Sequence, residues 1–165
     1  MAGKTDLVLE RTLDAPIELV WEAYTNPEHI KKWFAPKPYQ ITEAELDLRP
    51  GGIFRFHMEG PDSFAEDGMG CVLEVVPKER LTWTSALGPD FRPNDFNKKE
   101  GCEAFPFTAV ATFADEGGGK TAYKVVALHG NEADRKTHEN MGFHEGWGTV
   151  ADQLAEFAKS LGVEA

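Results

Sequence analysis

Apolar and polar positions alternate along most of this chain, and the period of the alternation changes at a few marked points. From Leu7 to Leu13, apolar and β-branched residues run at strand spacing and stop at Asp14-Ala15-Pro16. Pro16 suits a helix start, where a missing N–H is harmless, and Glu18 sits well beside a helix N-terminus. Ile17, Val20, Trp21 and Tyr24 then recur at helical spacing and predict a short amphipathic helix. Asn26-Pro27-Glu28 repeats the start signal, so a second short helix is expected to Trp33, broken by Ala35-Pro36-Lys37-Pro38.

Beyond this break the period is two. Ala44, Leu46 and Leu48 oppose Glu43, Glu45 and Asp47, and Arg49-Pro50-Gly51-Gly52 turns the chain into Phe54, Phe56 and Met58, set against Arg55 and His57. A loop rich in Gly, Pro and Asp is expected next. Cys71, Leu73 and Val75 follow on a dry face opposite Glu74, and Pro77-Lys78-Glu79-Arg80 leads into Leu81, Trp83 and Ser85. Strands over Phe107 to Ala114 and Thr121 to Leu128 meet across Gly117-Gly118-Gly119. Asn131-Glu132-Ala133-Asp134 opens a helix, and Phe143, Trp147, Val150, Ala151, Leu154, Phe157, Ala158 and Leu161 form one stripe ending at Gly162. Gly142, Gly146 and Gly148 would each cost about 1 kcal/mol inside a helix, which predicts a break near Gly142. Trp147, on the stripe, is expected to be well buried.

The segment from Gly88 to Pro106 interrupts this rhythm with prolines, glycines and charges. Irregular structure is expected there, with Phe91, Phe96 and Phe105 placed to fold over an opening as a lid. The element order β–α–α–β–β–β–β–β–β–α is that of an α+β domain, an antiparallel sheet curled around one long helix. At 165 residues the chain, 1–165, is expected to be a single domain.

Composition narrows the function classes. Apolar residues make up 41% and charged residues 27%, as in a soluble globular protein. The 28 acidic against 17 basic residues give a net charge of −11, which argues against nucleic acid and against anionic membranes as partners. No run approaches the roughly 20 apolar residues of a membrane-spanning helix. The start, Met-Ala-Gly-Lys-Thr-Asp, has no apolar secretory core. Cys71 and Cys102 show no CxxC spacing. Two reduced thiols in a cytoplasmic protein are the expectation.

The polar residues offer little chemistry. His138 and His144 would lie about 240° apart on one helix, so they share no metal there, and HExxH and Cys/His zinc spacings are absent. His138-Glu139 and His144-Glu145 read as a solvated helix face rather than acid–base pairs. No G-x-S-x-G elbow occurs; Cys71 reads as core, and Glu103 beside Cys102 disfavours a thiolate. The Gly117-Gly118-Gly119 triplet lacks the lysine and helix of a phosphate loop, and Lys31-Lys32, Lys98-Lys99 and Arg135-Lys136 read as solvated charge. Neither a metal nor a cofactor is expected. The aromatic residues are more informative: Phe54, Phe56, Met58, Trp83 and Phe107 share a face with Leu46 and Leu73, where Ser85, Ala109, Ala111 and Ala127 are small. Small residues opposite a helix either admit close packing or leave a void. Arg11 shares a face with Leu9 and Leu13, so its head needs a partner, a salt bridge or an anionic ligand.

Several motifs carry a family resemblance. Asp14-Ala15-Pro16-Ile17-Glu18-Leu19-Val20-Trp21, Thr25-Asn26-Pro27-Glu28 and Trp33 resemble the opening of the helix-grip START-related superfamily (SRPBCC), which includes the birch-pollen-allergen-like proteins. Leu48-Arg49-Pro50-Gly51-Gly52-Ile53-Phe54 and the run Gly70 to Leu81 are similar to the branch related to the C-terminal domain of the heat-shock chaperone ATPase activator. Gly146-Trp147 with Asp152-Gln153-Leu154 resembles that branch's last helix. The resemblance implies a curved seven-stranded antiparallel sheet gripping the C-terminal helix, with a hydrophobic cavity between them. It also implies small hydrophobic or amphipathic, lipid-like ligands. The expected lining is Phe34, Phe54, Phe56, Met58, Trp83, Phe107, Met141, Phe143 and Trp147, with Arg11 or Tyr123 as polar handle. A cyclase- or hydrolase-type enzyme using Arg11, Tyr123 and Glu145 is the second class, and a chaperone-interacting stress-response protein the third. A homodimer stays open.

Overall fold

The computed structural model describes residues 3–95 and 105–163. Strand β1 (Asp6–Leu13) leads to Pro16, whose carbonyl accepts from Val20 N at 3.0 Å to start α1 (Ile17–Thr25). Helix α2 (Pro27–Trp33) starts on Asn26, whose side-chain oxygen accepts from Glu28 N at 3.0 Å. Trp33 Nε1 donates to the Ala23 carbonyl at 2.9 Å and ties α2 to α1.

Strands β2 (Gln40–Leu46), β3 (Ile53–Gly60), β4 (Phe64–Val76) and β5 (Arg80–Thr84) follow as a meander. The short β6 (Leu87–Gly88) and β7 (Arg92–Pro93) pair with each other. Strands β8 (Phe107–Gly117) and β9 (Lys120–His129) complete the sheet, and helices α3 (Glu132–Asn140) and α4 (Phe143–Val163) end the described chain. The sheet has seven antiparallel strands in the order β1-β9-β8-β5-β4-β3-β2. This is the expected α+β helix-grip architecture, including the two short helices after the first strand.

Register places one continuous apolar face under the helices. Leu9 pairs with Val125, Val125 with Ala111, Ala111 with Leu81, and beside them Ala109 pairs with Trp83 and Trp83 with Val72. Ala109, Ala111 and Ala127 are fully buried, so the small residues allow close packing at the centre. The α4 stripe faces them: Phe143, Ala151, Leu154 and Ala158 are buried, while Trp147, Val150, Phe157 and Leu161 are partly so. The expected break falls at Gly142, whose φ of +92° is left-handed backbone and whose N–H caps α3 at Glu139 O, 3.0 Å.

Three expectations need correction. Cys71 pairs with Ile53 and Thr84 on the opposite face, and Val72 takes the inward position. A bulge between Val72 and Glu74 shifts the phase, leaves Leu73 at the irregularity and returns Val75 to Leu81's side. The loop expected before Cys71 is largely strand. Asp62 and Ser63, both at positive φ, make the tight turn from β3 into β4. A Cβ at Gly68 would strike the Phe56 ring, so this glycine seats a ring instead of marking a turn.

The third correction concerns the segment from Gly88. It forms the β6–β7 hairpin around a short 3₁₀ turn, Pro89–Phe91, and Asp90 N donates to Gly51 O at 2.8 Å. Phe91 lies against Gly51, which has a φ of +84° and where a Cβ would sit 2.9 Å from the ring. Phe91 therefore packs on the β2–β3 turn while half exposed, and Phe105 is core at 3% exposure, so neither covers an opening. Phe96 and Cys102 lie outside the described residues.

Candidate functional site

The inward aromatic residues form one continuous array between the sheet and α4. Phe34 stacks on Phe56 at 5.4 Å between ring centroids and meets Phe54 edge-on at 5.6 Å. Phe54 stacks on Trp83 at 4.8 Å, Trp83 meets Phe107 at 5.5 Å, and Phe107 reaches Trp147 at 6.1 Å. Trp147 closes on Phe143 at 4.6 Å. Seven of the expected lining residues are thus brought together.

Their burial is graded. Phe54, Trp83, Phe107 and Phe143 are buried, whereas Phe34, Phe56 and Trp147 are partly exposed, as are Met58, Leu46 and Ala44 on the same face of β2 and β3. The array is closed at its centre and open along the β2–β3 side. Trp147 is less buried than the stripe alone suggests, because it stands at the margin of this face. Met141 is displaced altogether: it caps α3 and is 45% exposed.

The two expected polar handles lie elsewhere. Arg11 pairs with Tyr123 across β1 and β9 and both line a surface cleft of about 450 Å³ with Phe113 and Lys124. Arg11 is exposed because β1 is an edge strand, so its long side chain leaves the apolar face for water. Its guanidinium donates to Glu10 O at 3.1 Å and passes over Gly148, where a Cβ would sit 2.7 Å from Nη2. No ion pair of Arg11 with a described residue is formed, so the salt bridge expected for an inward charge gives way to solvation. Tyr123 is buried, its hydroxyl 3.2 Å from that of Tyr24. Burial raises both phenols, Tyr24 to about 12, so both are neutral at physiological pH. Glu145, weighed for the enzyme reading, is exposed on α4. A second cleft of about 570 Å³ runs between α2 and β2, where Lys31, Lys32 and Lys37 gather around Gln153.

A pair of histidines is buried at the Phe107–Trp147 end of the array. His129 ends β9 and His138 comes from α3; their Nε2 and Nδ1 atoms are 2.9 Å apart, with 8% and 3% exposure. His138 sits among Phe105, Phe107, Phe143 and Trp147 at centroid distances of 5.2, 4.9, 5.3 and 5.6 Å. The solvated face expected for His138 is overturned; it holds for His144, exposed beside Glu139 at 3.2 Å. Burial, reinforced by His129, pushes the His138 pKa down to about 4. The alternation Tyr123, Val125, Ala127 would have placed His129 inward had the strand been carried one residue past Leu128. For His138 the signal is thin, since α3 carries no apolar stripe.

Among the described residues, no three His, Cys, Asp or Glu side chains converge as metal ligands, and no helix is long and apolar enough to cross a membrane.

Comparison with known proteins agrees with the architecture. Protein NE0264 from Nitrosomonas europaea is 41% identical over 99% of both chains, with a TM-score of 0.89. Protein Ms6760 from Mycobacterium smegmatis is 25% identical over 93% of this chain and 90% of its own, with a TM-score of 0.73. An AHSA1-like protein from Aeromonas hydrophila, 22% identical over 96% of this chain and 94% of its own, shares the fold at a TM-score of 0.64. No curated protein matches the chain. A family model described as activator of Hsp90 ATPase homolog 1-like protein matches residues 14–159, nearly the whole helix-grip unit, and the chain belongs to that family.

Proposed function

We propose that this protein binds a small hydrophobic or amphipathic molecule between the sheet and α4, entering over Phe34, Phe56 and Met58. The supporting observation is the graded exposure of one aromatic array: rings partly exposed at the β2–β3 side continue, face to edge, into the buried core. A ligand laid on Phe34 and Phe56 removes their remaining apolar area from water at about 25 cal/mol per Å². Burial keeps the phenols of Tyr24 and Tyr123 protonated and holds the His138 pKa down to about 4, so these groups are neutral within the interior, which favours an uncharged guest.

Phe56→Asp tests this reading. The expected result is loss of binding of the uncharged fluorescent probe N-phenyl-1-naphthylamine with a native circular dichroism spectrum. A probe bound equally well by the folded variant would place the binding on another surface. A chaperone-directed role draws on the family description alone, and a pull-down with Hsp90 tests it.

A further inference from the structure

The cleft between α2 and β2 carries a charge balance opposite to that of the whole chain. Lys31, Lys32 and Lys37 line it, with Glu28 as the one carboxylate among its described lining residues, on a protein of net charge −11. Lys31 is engaged by Glu28 at 2.8 Å, whereas Lys32 and Lys37 form no ion pair with a described residue. The negative end of α2 accounts for Lys31 and Lys32 in its last turn, but Lys37 lies beyond the helix. Its place is fixed from α4: Gln153 Oε1 accepts from Lys37 N at 3.2 Å, while Gln153 Nε2 donates to the Trp33 and Ala35 carbonyls at 3.0 and 2.8 Å. One side chain thus ties the loop to the end of α2 and sets Lys37 on the same cleft as Lys32. Trp33, Ala35 and Ile41 give that cleft an apolar floor, each at most 5% exposed. Tyr39 adds a hydroxyl on a fixed ring, which Gly60 seats because a Cβ there would strike it, and which meets Phe64 edge-on at 5.1 Å.

We propose that this cleft binds a small organic monoanion, a carboxylate on a compact apolar body, with Lys32 and Lys37 on the carboxylate and the body against Trp33 and Ile41. The site is separate from the aromatic array, and its guest is charged where that of the array is not. Its volume of about 570 Å³ lies within the roughly 300–1,000 Å³ of small-ligand sites. Two ammonium groups on flexible stems act as point charges that can each meet one carboxylate oxygen, and the Tyr39 hydroxyl is a further donor. The size of the ligand's charge is limited from outside the cleft. A chain of net charge −11 repels every added negative charge, and Glu28 stands on the lining, so di- and triphosphates or nucleic acid lose more than a monoanion does. An inorganic anion, in turn, leaves the apolar floor unused, whereas an apolar body removes that surface from water.

Two probes of nearly the same shape, 2-naphthoate and 2-naphthamide, test this, because only the first is charged at pH 7.5. Titration calorimetry at low salt should show the native protein binding 2-naphthoate about tenfold more tightly than 2-naphthamide, with the difference shrinking as sodium chloride is added. Lys32→Gln with Lys37→Gln should lower the 2-naphthoate affinity about tenfold and leave that of 2-naphthamide unchanged. Lys4→Gln with Lys136→Gln makes the same change in net charge away from the cleft and should leave both affinities as they are. All four lysines are exposed, so these variants keep the native fold. Saturating N-phenyl-1-naphthylamine, directed at the aromatic array, should not displace 2-naphthoate. Absence of 2-naphthoate binding by the native protein, equal affinities for the two probes, equal losses in the two glutamine pairs, or displacement by N-phenyl-1-naphthylamine would each overturn the site.

Discussion

Acidification should destabilise this protein through His138 before it touches the carboxylates. In the folded chain the His138 pKa is about 4, while its ordinary value is 6.5. Above pH 6.5 the side chain is neutral in both states and its contribution is complete. As the pH falls below 6.5 the unfolded chain takes up a proton that the folded chain refuses, so stability drops until the pH reaches the folded value. With these two values the loss by pH 5 is about 2 kcal/mol. At a urea slope of about 1–3 kcal/mol per M, that lowers the midpoint by about 1 M. The other groups with displaced values act outside the range from pH 6.5 to 5. His57 is raised by its hydrogen bond to Asp67, so its stabilisation is complete below 6.5 and is lost only as the pH rises through the raised value. Asp14, Glu28 and Glu74 are lowered by Lys159, Lys31 and Arg80, so theirs is complete above the ordinary carboxylate range and fades only at lower pH. His138→Phe removes the proton uptake but deprives His129 Nε2 of its hydrogen-bond partner, at a cost of about 1–2 kcal/mol near neutrality. The variant should therefore be the weaker protein at pH 7.5 and the equal of the native one, or better, at pH 5. Urea denaturation at four pH values between 5 and 7.5, followed by tryptophan fluorescence, checks this. Parallel pH profiles for the two proteins would refute the reasoning.

Tyr24→Phe leaves the Tyr123 hydroxyl buried without its partner and should cost about 1–2 kcal/mol; adding Tyr123→Phe should cost less than the single changes summed, which a double-mutant cycle in urea measures. Gly146→Ala should raise the melting temperature, because a Cβ there meets nothing within 4 Å and the helix interior gains up to about 1 kcal/mol in propensity; an unchanged or lowered melting temperature counts against an unstrained α4 at that turn.

Much of this architecture was legible from periodicity because the backbone obeys it locally. The caps at Asn26 and Asn131, the break at Gly142 and the stripe from Phe143 to Leu161 are all short-range features, and each lies where the pattern puts it. The misplacements arise where a distant partner decides. A bulge at Val72–Glu74 exchanges the faces of Cys71 and Val72, and it shows only in the pairing of β4 with β5. Gly68 reads as a turn until the Phe56 ring is seen to occupy its missing side chain. His138 is buried because α3 returns over His129, a contact that nine residues of sequence separation conceal behind charged neighbours.

Arg11 and Phe56 show a further limit, and it bears on function. The alternation assigns both to the inward face, as their pairing with Tyr123 and Gly68 confirms, yet Arg11 is exposed and Phe56 only partly buried. Alternation reports which face a residue is on; depth depends on what lies above it. Seven strands at about 4.8 Å spacing make a sheet about 29 Å wide, while a helix with its side chains covers about 10–12 Å. One long helix cannot roof such a sheet. Helix α1 takes up part of the remainder over β8 and β9 and α2 the part over β2, and the curl of the sheet takes up more. What is left is the strip over β3, which the chain furnishes with Phe54, Phe56 and Met58 and with Phe34 leaning in from the end of α2. A polar strip would offer an apolar ligand nothing to displace water from; the partly exposed aromatic strip running into the core is the feature on which the proposed binding stands or falls.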